Sequence, residues 1–236
     1  MNRHIVNREK SAKLQIYNWL KQQIIAGTLP PGTVLDKRQL MQELSVSLTP
    51  LREALLLLKH DGLVELVPNL HTVVRLIDPE RVREHVFLRA ALECAVVEHL
   101  ATTGLPAEIA EQCADLIAQQ KTAFAKNDLQ RSFELDMAFH RALCDVLKYR
   151  LLWDNIYANR AQIDRARQCS PVNIPGIQRS IRQHGEILDL VRSRDAVGAR
   201  AVMQAHIYTV FDDLTHIDPR YVETRDLETR SAAPSL

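Results

Sequence analysis

The run Asp36-Lys37-Arg38-Gln39-Leu40-Met41-Gln42-Glu43-Leu44-Ser45-Val46-Ser47-Leu48-Thr49-Pro50-Leu51-Arg52-Glu53-Ala54-Leu55 decides the fold of the first third of the chain. Asp36 suits a helix N-cap with Gln39 as its capping-box partner three residues on, and Leu40 and Leu44 form an i, i+4 apolar pair. Ser45-Val46-Ser47 is a tight break. Thr49 and Pro50 then suit the N-cap and first turn of a second helix that carries Leu51, Leu55 and Leu58 on one face. Upstream, Leu14, Tyr17, Leu20, Ile24 and Ile25 have helical period up to Gly27. Downstream, Asp61-Gly62 ends the second helix of the pair. The alternating stretches Leu63 to Val67 and Thr72 to Leu76, joined through Pro68-Asn69-Leu70-His71, then predict a two-stranded hairpin. The order is helix, helix-turn-helix, wing.

A helix-turn-helix places its second helix in the major groove, so polar or basic residues at that helix's N-terminal end reach base edges and phosphates. Here these are Ser47, Thr49 and Arg52, while Lys37 and Arg38 are placed to hold the phosphate backbone and Asn69 to His71 to lie against the adjacent groove. Charge agrees in sign only: residues 1–77 carry 10 Lys/Arg against 6 Asp/Glu, the remainder 20 against 23. An excess of four is common on solvated faces, so the motif carries the argument.

Pro30-Pro31-Gly32, Asp36 to Leu40, Val46 to Leu55 and Asp61-Gly62-Leu63-Val64 together resemble, in order and spacing, the signature of the GntR family of transcription regulators over about seventy residues. The resemblance implies binding to a double-stranded, palindromic operator as a homodimer. Two departures fall on expected DNA contacts. Leu48 stands where the family usually has arginine, and Leu70-His71 where it has arginine-glycine at the wing tip.

At 236 residues, with 46% hydrophobic residues, 25% charged and 7 glycines, the chain suits two strongly helical domains. No apolar run approaches the roughly 20 residues that span a bilayer, and the charged first thirty residues lack a signal-peptide core, so no membrane partner and a cytoplasmic address are expected. Cys94, Cys113, Cys144 and Cys169 form no C-x-x-C pair and are expected to be buried small apolar residues. Asp78-Pro79 reads as the hinge between a winged-helix domain, 1–77, and a helical domain, 78–217, with 218–236 as a flexible tail. Helices are predicted near 79–102, 106–127, 129–147, 150–168, 176–193 and 195–216, which assemble most economically as an antiparallel bundle of six or seven helices. The fold class is mainly α.

Within the bundle, polar residues stand where apolar ones belong. The stripe Phe133, Asp136, Met137, His140, Leu143, Leu147 puts a carboxylate and an imidazole one turn apart on an inward face. His184 occupies the stripe Ile177, Ile181, Leu188, Val191, and His206 the stripe Ala199, Met203, Val210. One such histidine reads most simply as a hydrogen-bonded core residue. A carboxylate and three imidazoles buried together would each cost several kcal/mol without partners, and a divalent metal satisfies all four. Asp136, His140, His184 and His206 are therefore the candidate ligands, zinc first, nickel or manganese next. Arg89, in the stripe Val82, Val86, Glu93, Val96, Leu100, either captures a carboxylate effector or pairs internally with Glu93.

This half also resembles the C-terminal effector domain of the FadR subfamily, through Arg89 to Glu93, Phe133 to His140, His184 and Ala201 to His206. The resemblance covers roughly 79–216 and implies dimerisation, a metal on the same four residues and a small organic or sugar acid as effector. The run Asp164-Arg165-Ala166-Arg167 resembles a subset of these regulators and adds Arg165 as an effector contact. The expected protein is a regulator, a repressor first, and not an enzyme. The rivals are a metal-dependent hydrolase, for which no general base is placed by spacing, and a direct metal sensor.

Overall fold

The computed structural model describes residues 11–67, 71–170 and 172–223; Asn69 and Leu70 of the wing tip lie outside them. The chain divides into two compact units. One runs to Glu80 and includes the segment from Ile217 onward, and the other is Arg81–His216.

In the first unit, α1 (Ala12–Ile25), α2 (Lys37–Leu44) and α3 (Leu48–His60) pack around Ile16, Leu20, Ile24, Leu40, Leu44, Leu51, Leu55 and Leu58, all buried. Asp36 caps α2 through its carboxylate, which accepts from the N–H groups of Arg38 (2.7 Å) and Gln39 (3.3 Å). The Gln39 side chain does not complete the capping box. It donates to Glu43, one turn on, at 2.8 Å. Ser45 ends α2 in the left-handed region (φ 54°), which lets the chain turn within three residues. The next helix begins two residues earlier than Thr49-Pro50 implied, with Ser47 as N-cap, so Thr49 and Pro50 lie inside its first turn. Tyr17 and Lys21 of α1 both bond the Asp61 carboxylate at the end of α3, at 2.5 and 3.0 Å.

The expected hairpin is β2 (Val64–Leu66) and β3 (Thr72–Val74), paired antiparallel with Glu65 opposite Val73. A third strand, β1 (Val34–Leu35), pairs on the other edge of β3, giving the order β1-β3-β2. Two residues are too short to show alternation, which is why β1 left no mark in the sequence. The segment after Ile217 is a second addition. A 3-10 turn at Pro219–Tyr221, capped by Asp218, brings Val222 alongside Ile77 in a parallel bridge. Ile77 N–H donates to Tyr221 O (2.7 Å), and Glu223 N–H to Ile77 O (2.8 Å). Residues 218–223, expected in a flexible tail, are ordered on the winged-helix unit because those main-chain groups are paired.

The second unit is helical: α4 (Pro79–Thr103), α5 (Ala107–Ala125), α6 (Leu129–Asp145), α7 (Arg150–Gln168), α8 (Ile174–Arg192), α9 (Ala196–Tyr208) and α10 (Val210–Leu214). α5 packs on α6 and α8, α8 on α9, and α7 on α6 and α10. Asp128, Asn173 and Asp195 cap α6, α8 and α9. The buried face of α6 is Ser132, Leu135, Asp136, Phe139, His140 and Leu143, turned slightly from the predicted stripe, so that Phe139 enters the core while Phe133 and Met137 stay half-buried. The predicted final helix is two, α9 and α10, with Thr209 between them, its hydroxyl donating to His206 O at 2.7 Å. No helix among the described residues is long and apolar enough to cross a membrane.

Candidate metal centre and DNA-facing surface

Asp136 and His140 lie one turn apart on α6, His184 mid-way along α8 and His206 in the last turn of α9. All four are buried, and one ligand atom from each lies within 4.8 Å of the others. His140 Nε2 is 3.1 Å from His206 Nε2 and 3.9 Å from Asp136 Oδ1, and His184 Nε2 is 3.4 Å from Asp136 Oδ1. Phe139 fixes two of the rings. It stacks on His184 (centroids 4.4 Å apart) and meets His140 edge-on (5.5 Å).

The outer nitrogens set the tautomers. His140 Nδ1 lies 2.5 Å from Glu93 Oε2, and His184 Nδ1 donates to Gln120 Oε1 at 2.9 Å, so both rings turn an Nε2 lone pair inward. Arg160 of α7 holds the other oxygen of Asp136 at 2.9 Å. Burial pushes the His140 pKa down to about 4 and that of His206 well below its usual value, so both imidazoles are neutral at pH 7. Burial works against the Asp136 charge, but Arg160 and the histidines overcome it and hold this carboxyl well below the ordinary range. Neutral imidazoles with one ionised carboxylate are a donor set that suits a divalent transition metal.

The unsatisfied atoms test that fit. His206 Nδ1 and His184 Nε2 are buried without a hydrogen-bond partner. A buried ring nitrogen left unmet costs about 1–3 kcal/mol. Of the unmet atoms, His184 Nε2 faces Asp136 within the cluster, and a cation there would meet it, so the residues present fit a metal ion.

Of the two readings the sequence allowed for Arg89, the internal pair with Glu93 is present. Its Nε pairs with Glu93 at 2.5 Å, and its terminal nitrogen lies 3.1 Å from His140 Nε2 at the cluster. Arg165, expected as an effector contact, lies in the last turn of α7. It is buried and donates to Gln162 on its own helix at 2.8 Å. It does not line the cavity of about 330 Å³ that reaches Asp136 and Gln120 and is bordered by Ser132, Arg167, Asn173, Ser180 and Thr209. Sequence reasoning missed Gln120 and Arg160. Both had a signal, as polar members of the buried stripes Cys113, Ile117, Gln120 and Ile156, Arg160, Ile163.

In the winged unit, Lys37, Arg38, Ser47, Thr49, Arg52 and His71 are all exposed. Ser47, Thr49 and Arg52 lie at the N-terminal end of α3, Lys37 and Arg38 in the first turn of α2, and His71 just before β3. Leu48 is 52% exposed between Ser47 and Thr49. Asn69 is outside the described residues.

Residues 12–74 match the family described as "Bacterial regulatory proteins, gntR family", and residues 84–209 match the FCD domain. The chain is 33% identical over 208 residues to an HTH-type transcriptional regulator in an unstable DNA locus of Streptomyces ambofaciens, covering 88% of this chain and 87% of that one. It is 31% identical over 215 residues to the HTH-type transcriptional repressor RspR of Escherichia coli K12, covering 90% and 92%. Among solved structures, a GntR regulator from Rhodococcus sp. RHA1 shares its fold with TM-score 0.72 at 22% identity, covering 87% and 98%. E. coli McbR/YncC does so with TM-score 0.70 at 24% identity, covering 86% and 98%.

Proposed function

Because the chain belongs to the GntR family of DNA-binding transcription regulators, with an FCD domain behind its winged helix, we propose that it is a repressor whose operator affinity is set by a small carboxylate effector at a metal centre. Family membership makes it a regulator and not a hydrolase. The observation that carries the rest is the buried cluster of three imidazoles and one carboxylate, with His184 Nε2 unmet inside it, beside a cavity.

Asp136, His140, His184 and His206 hold the ion, zinc first, with nickel or manganese next. When bound, the ion supplies a Lewis-acidic position for an effector oxygen. Arg89, already at the cluster, turns its guanidinium to the effector carboxylate. Glu93 and Gln120 keep the imidazoles oriented, and Arg160 keeps Asp136 ionised. Arg165 acts through its own helix.

The protein works as a homodimer. Exposed Phe87 and Leu88 of α4, and Leu151 and Tyr157 of α7, offer apolar surface on two helices joined by the His85–Asn159 contact. On DNA, Ser47, Thr49 and Arg52 read base edges, Lys37 and Arg38 hold phosphates, and Asn69 and His71 approach from the wing. The effector acts through unequal affinity for the DNA-competent and incompetent states.

Titration of zinc and of sugar acids and other carboxylates against operator binding tests the reading. A response to acids that chelator removes supports it, and a response to metal alone makes the protein a metal sensor. His184→Ala is expected to lose chelator-sensitive thermal stabilisation; equal zinc affinity in this variant and wild type sinks the four-ligand centre.

A further inference from the structure

Beside its core face, α3 carries an exposed stripe of mixed character. Leu51, Ala54, Leu55 and Leu58 are buried in the winged-helix core, whereas Leu48 and Leu56 stand outside it, 52% and 49% exposed. They lie one turn before and one turn after Arg52, which is also exposed, so the three form one line along the helix, apolar, basic, apolar. Arg52 forms no ion pair among the described residues, and the neighbouring carboxylate of Glu53 is met instead by Lys13 of α1 at 3.9 Å. Ser47 is the N-cap by position only, because its hydroxyl makes no capping hydrogen bond. The N-terminal end of α3 therefore presents a guanidinium and a hydroxyl, both unengaged, with a leucine between them in sequence.

In the major groove, a leucine at this place has one good partner. Every base edge there offers hydrogen-bond donors or acceptors, and thymine alone adds an apolar group, its C5 methyl. Leu48 can neither donate nor accept, so against adenine, guanine or cytosine it strips water from polar atoms and returns nothing. Against thymine it exchanges water for contact with a methyl group. Arg52 has the opposite requirement, since its planar fork matches the O6 and N7 acceptors of guanine. Four residues of helix rise about 6 Å and stacked bases are spaced about 3.4 Å, so the two bases lie about two pairs apart or fewer. Leu56 lies a further turn toward the C-terminal end, away from the part of the helix that meets base edges.

We propose that Leu48 is a specificity-determining residue that reads a thymine in each half-site through the C5 methyl group, close to a guanine held by Arg52. This rests on the reading of α3 as the helix that faces DNA, and adds a residue and a base to it. Leu48 accepts thymine by one methyl group and rejects the other three bases by the polar atoms it would dehydrate.

The test uses the full chain on duplexes selected from random DNA with the wild-type protein. Each thymine of the selected site is replaced in turn by deoxyuridine, which removes the methyl group and keeps every hydrogen-bonding atom. At one thymine per half-site this change is expected to weaken wild-type binding in band shifts by about threefold or more. Leu48→Ala is expected to bind the thymine and uridine duplexes alike, both more weakly than wild type binds thymine. Leu56→Ala is expected to respond to the lost methyl as wild type does, and Arg52→Ala to lose the preference for a guanine within about two pairs of that thymine. Thermal melts establish that the variants are folded. If no thymine responds, if Leu48→Ala responds as wild type does, or if Leu56→Ala abolishes the response in its place, the thymine assignment is overturned; α3 remains the DNA-facing helix provided Arg52→Ala has lost its guanine. If neither Leu48→Ala nor Arg52→Ala alters binding, the reading of α3 fails, and this inference with it.

Discussion

Leu48 puts an apolar side chain, half exposed to solvent, on the N-terminal end of α3, the helix proposed to face DNA. A charge-assisted contact at such a place contributes about 1–3 kcal/mol of base discrimination. Leu48→Arg touches no core residue and is expected to leave the melting temperature within about 2 °C while tightening DNA binding or changing its sequence preference. A band-shift comparison on DNA selected with the wild-type protein checks this. Unaltered affinity and preference would show that Leu48 is no part of the contact. His140 carries a second prediction. Its pKa is about 4 in the fold against about 6.5 in the unfolded chain, so between these pH values the unfolded state takes up the proton. Its contribution is complete above pH 6.5 and is lost as pH falls toward 4. Metal-free protein is expected to lose on the order of a few kcal/mol across that window, measured by denaturant unfolding, whereas protons compete with metal for the folded ring only as pH approaches 4 and below. Asp136, His140, His184 and His206 were legible because helical period shows a polar residue on an apolar stripe. Gln120 and Arg160 carried the same mark, but neither is a conventional metal ligand, and reading for ligands alone passed over them. Arg165 was placed by likeness of a short run, and likeness does not say which side of the helix faces the cavity.

Elements were readable where their own residues define them. The helix-turn-helix follows from Asp36, the Leu40/Leu44 pair and the Leu51/Leu55/Leu58 face, all of which the structure buries or caps as expected. Asp36→Ala removes an acceptor serving two N–H groups of α2 and is expected to cost about 1 kcal/mol, seen as a lower midpoint for the winged-helix unit in denaturant. Replacement by asparagine is expected to recover most of that loss, because its side-chain oxygen still accepts. Gln39→Ala is expected to cost much less, because Gln39 bonds Glu43 on an exposed face in place of the Asp36 N–H. The two-residue strand β1 escaped a reading by period, since it depends on pairing with β3 from another segment, and the break at Thr209 interrupts an apolar stripe that runs on through Val210. The shift of the α6 face has the same origin. Sequence period gives an orientation to within about one residue, and packing against α5 and α7 selects between Phe133 and Phe139 as the buried ring.

Across the whole molecule, the chain divides after Glu80, and the return of the chain to the first unit had no sequence signal. Asp218-Pro219-Arg220-Tyr221 shows no periodicity, and its order comes from Ile77, some 140 residues earlier. Glu223→Pro removes the N–H that Ile77 O accepts and is expected to lower the stability of the winged-helix unit by about 1 kcal/mol, with the zinc-dependent transition of the helical unit unmoved. Calorimetry separates the two transitions, and a shift confined to the zinc-dependent one would contradict the assignment of this segment.

The bridge between Ile77 and Val222 makes the winged-helix unit discontinuous along the chain, with the entire helical unit inserted within it. On a ribosome adding roughly 5–20 residues per second, the main-chain groups of Ile77 emerge on the order of 10–30 s before their partners. A nascent chain stalled inside Arg81–His216 therefore carries an unfinished DNA-binding unit, expected to be cut by protease faster than the same unit in the released protein. Order of synthesis completes the winged-helix unit only after the residues of the helical unit have emerged.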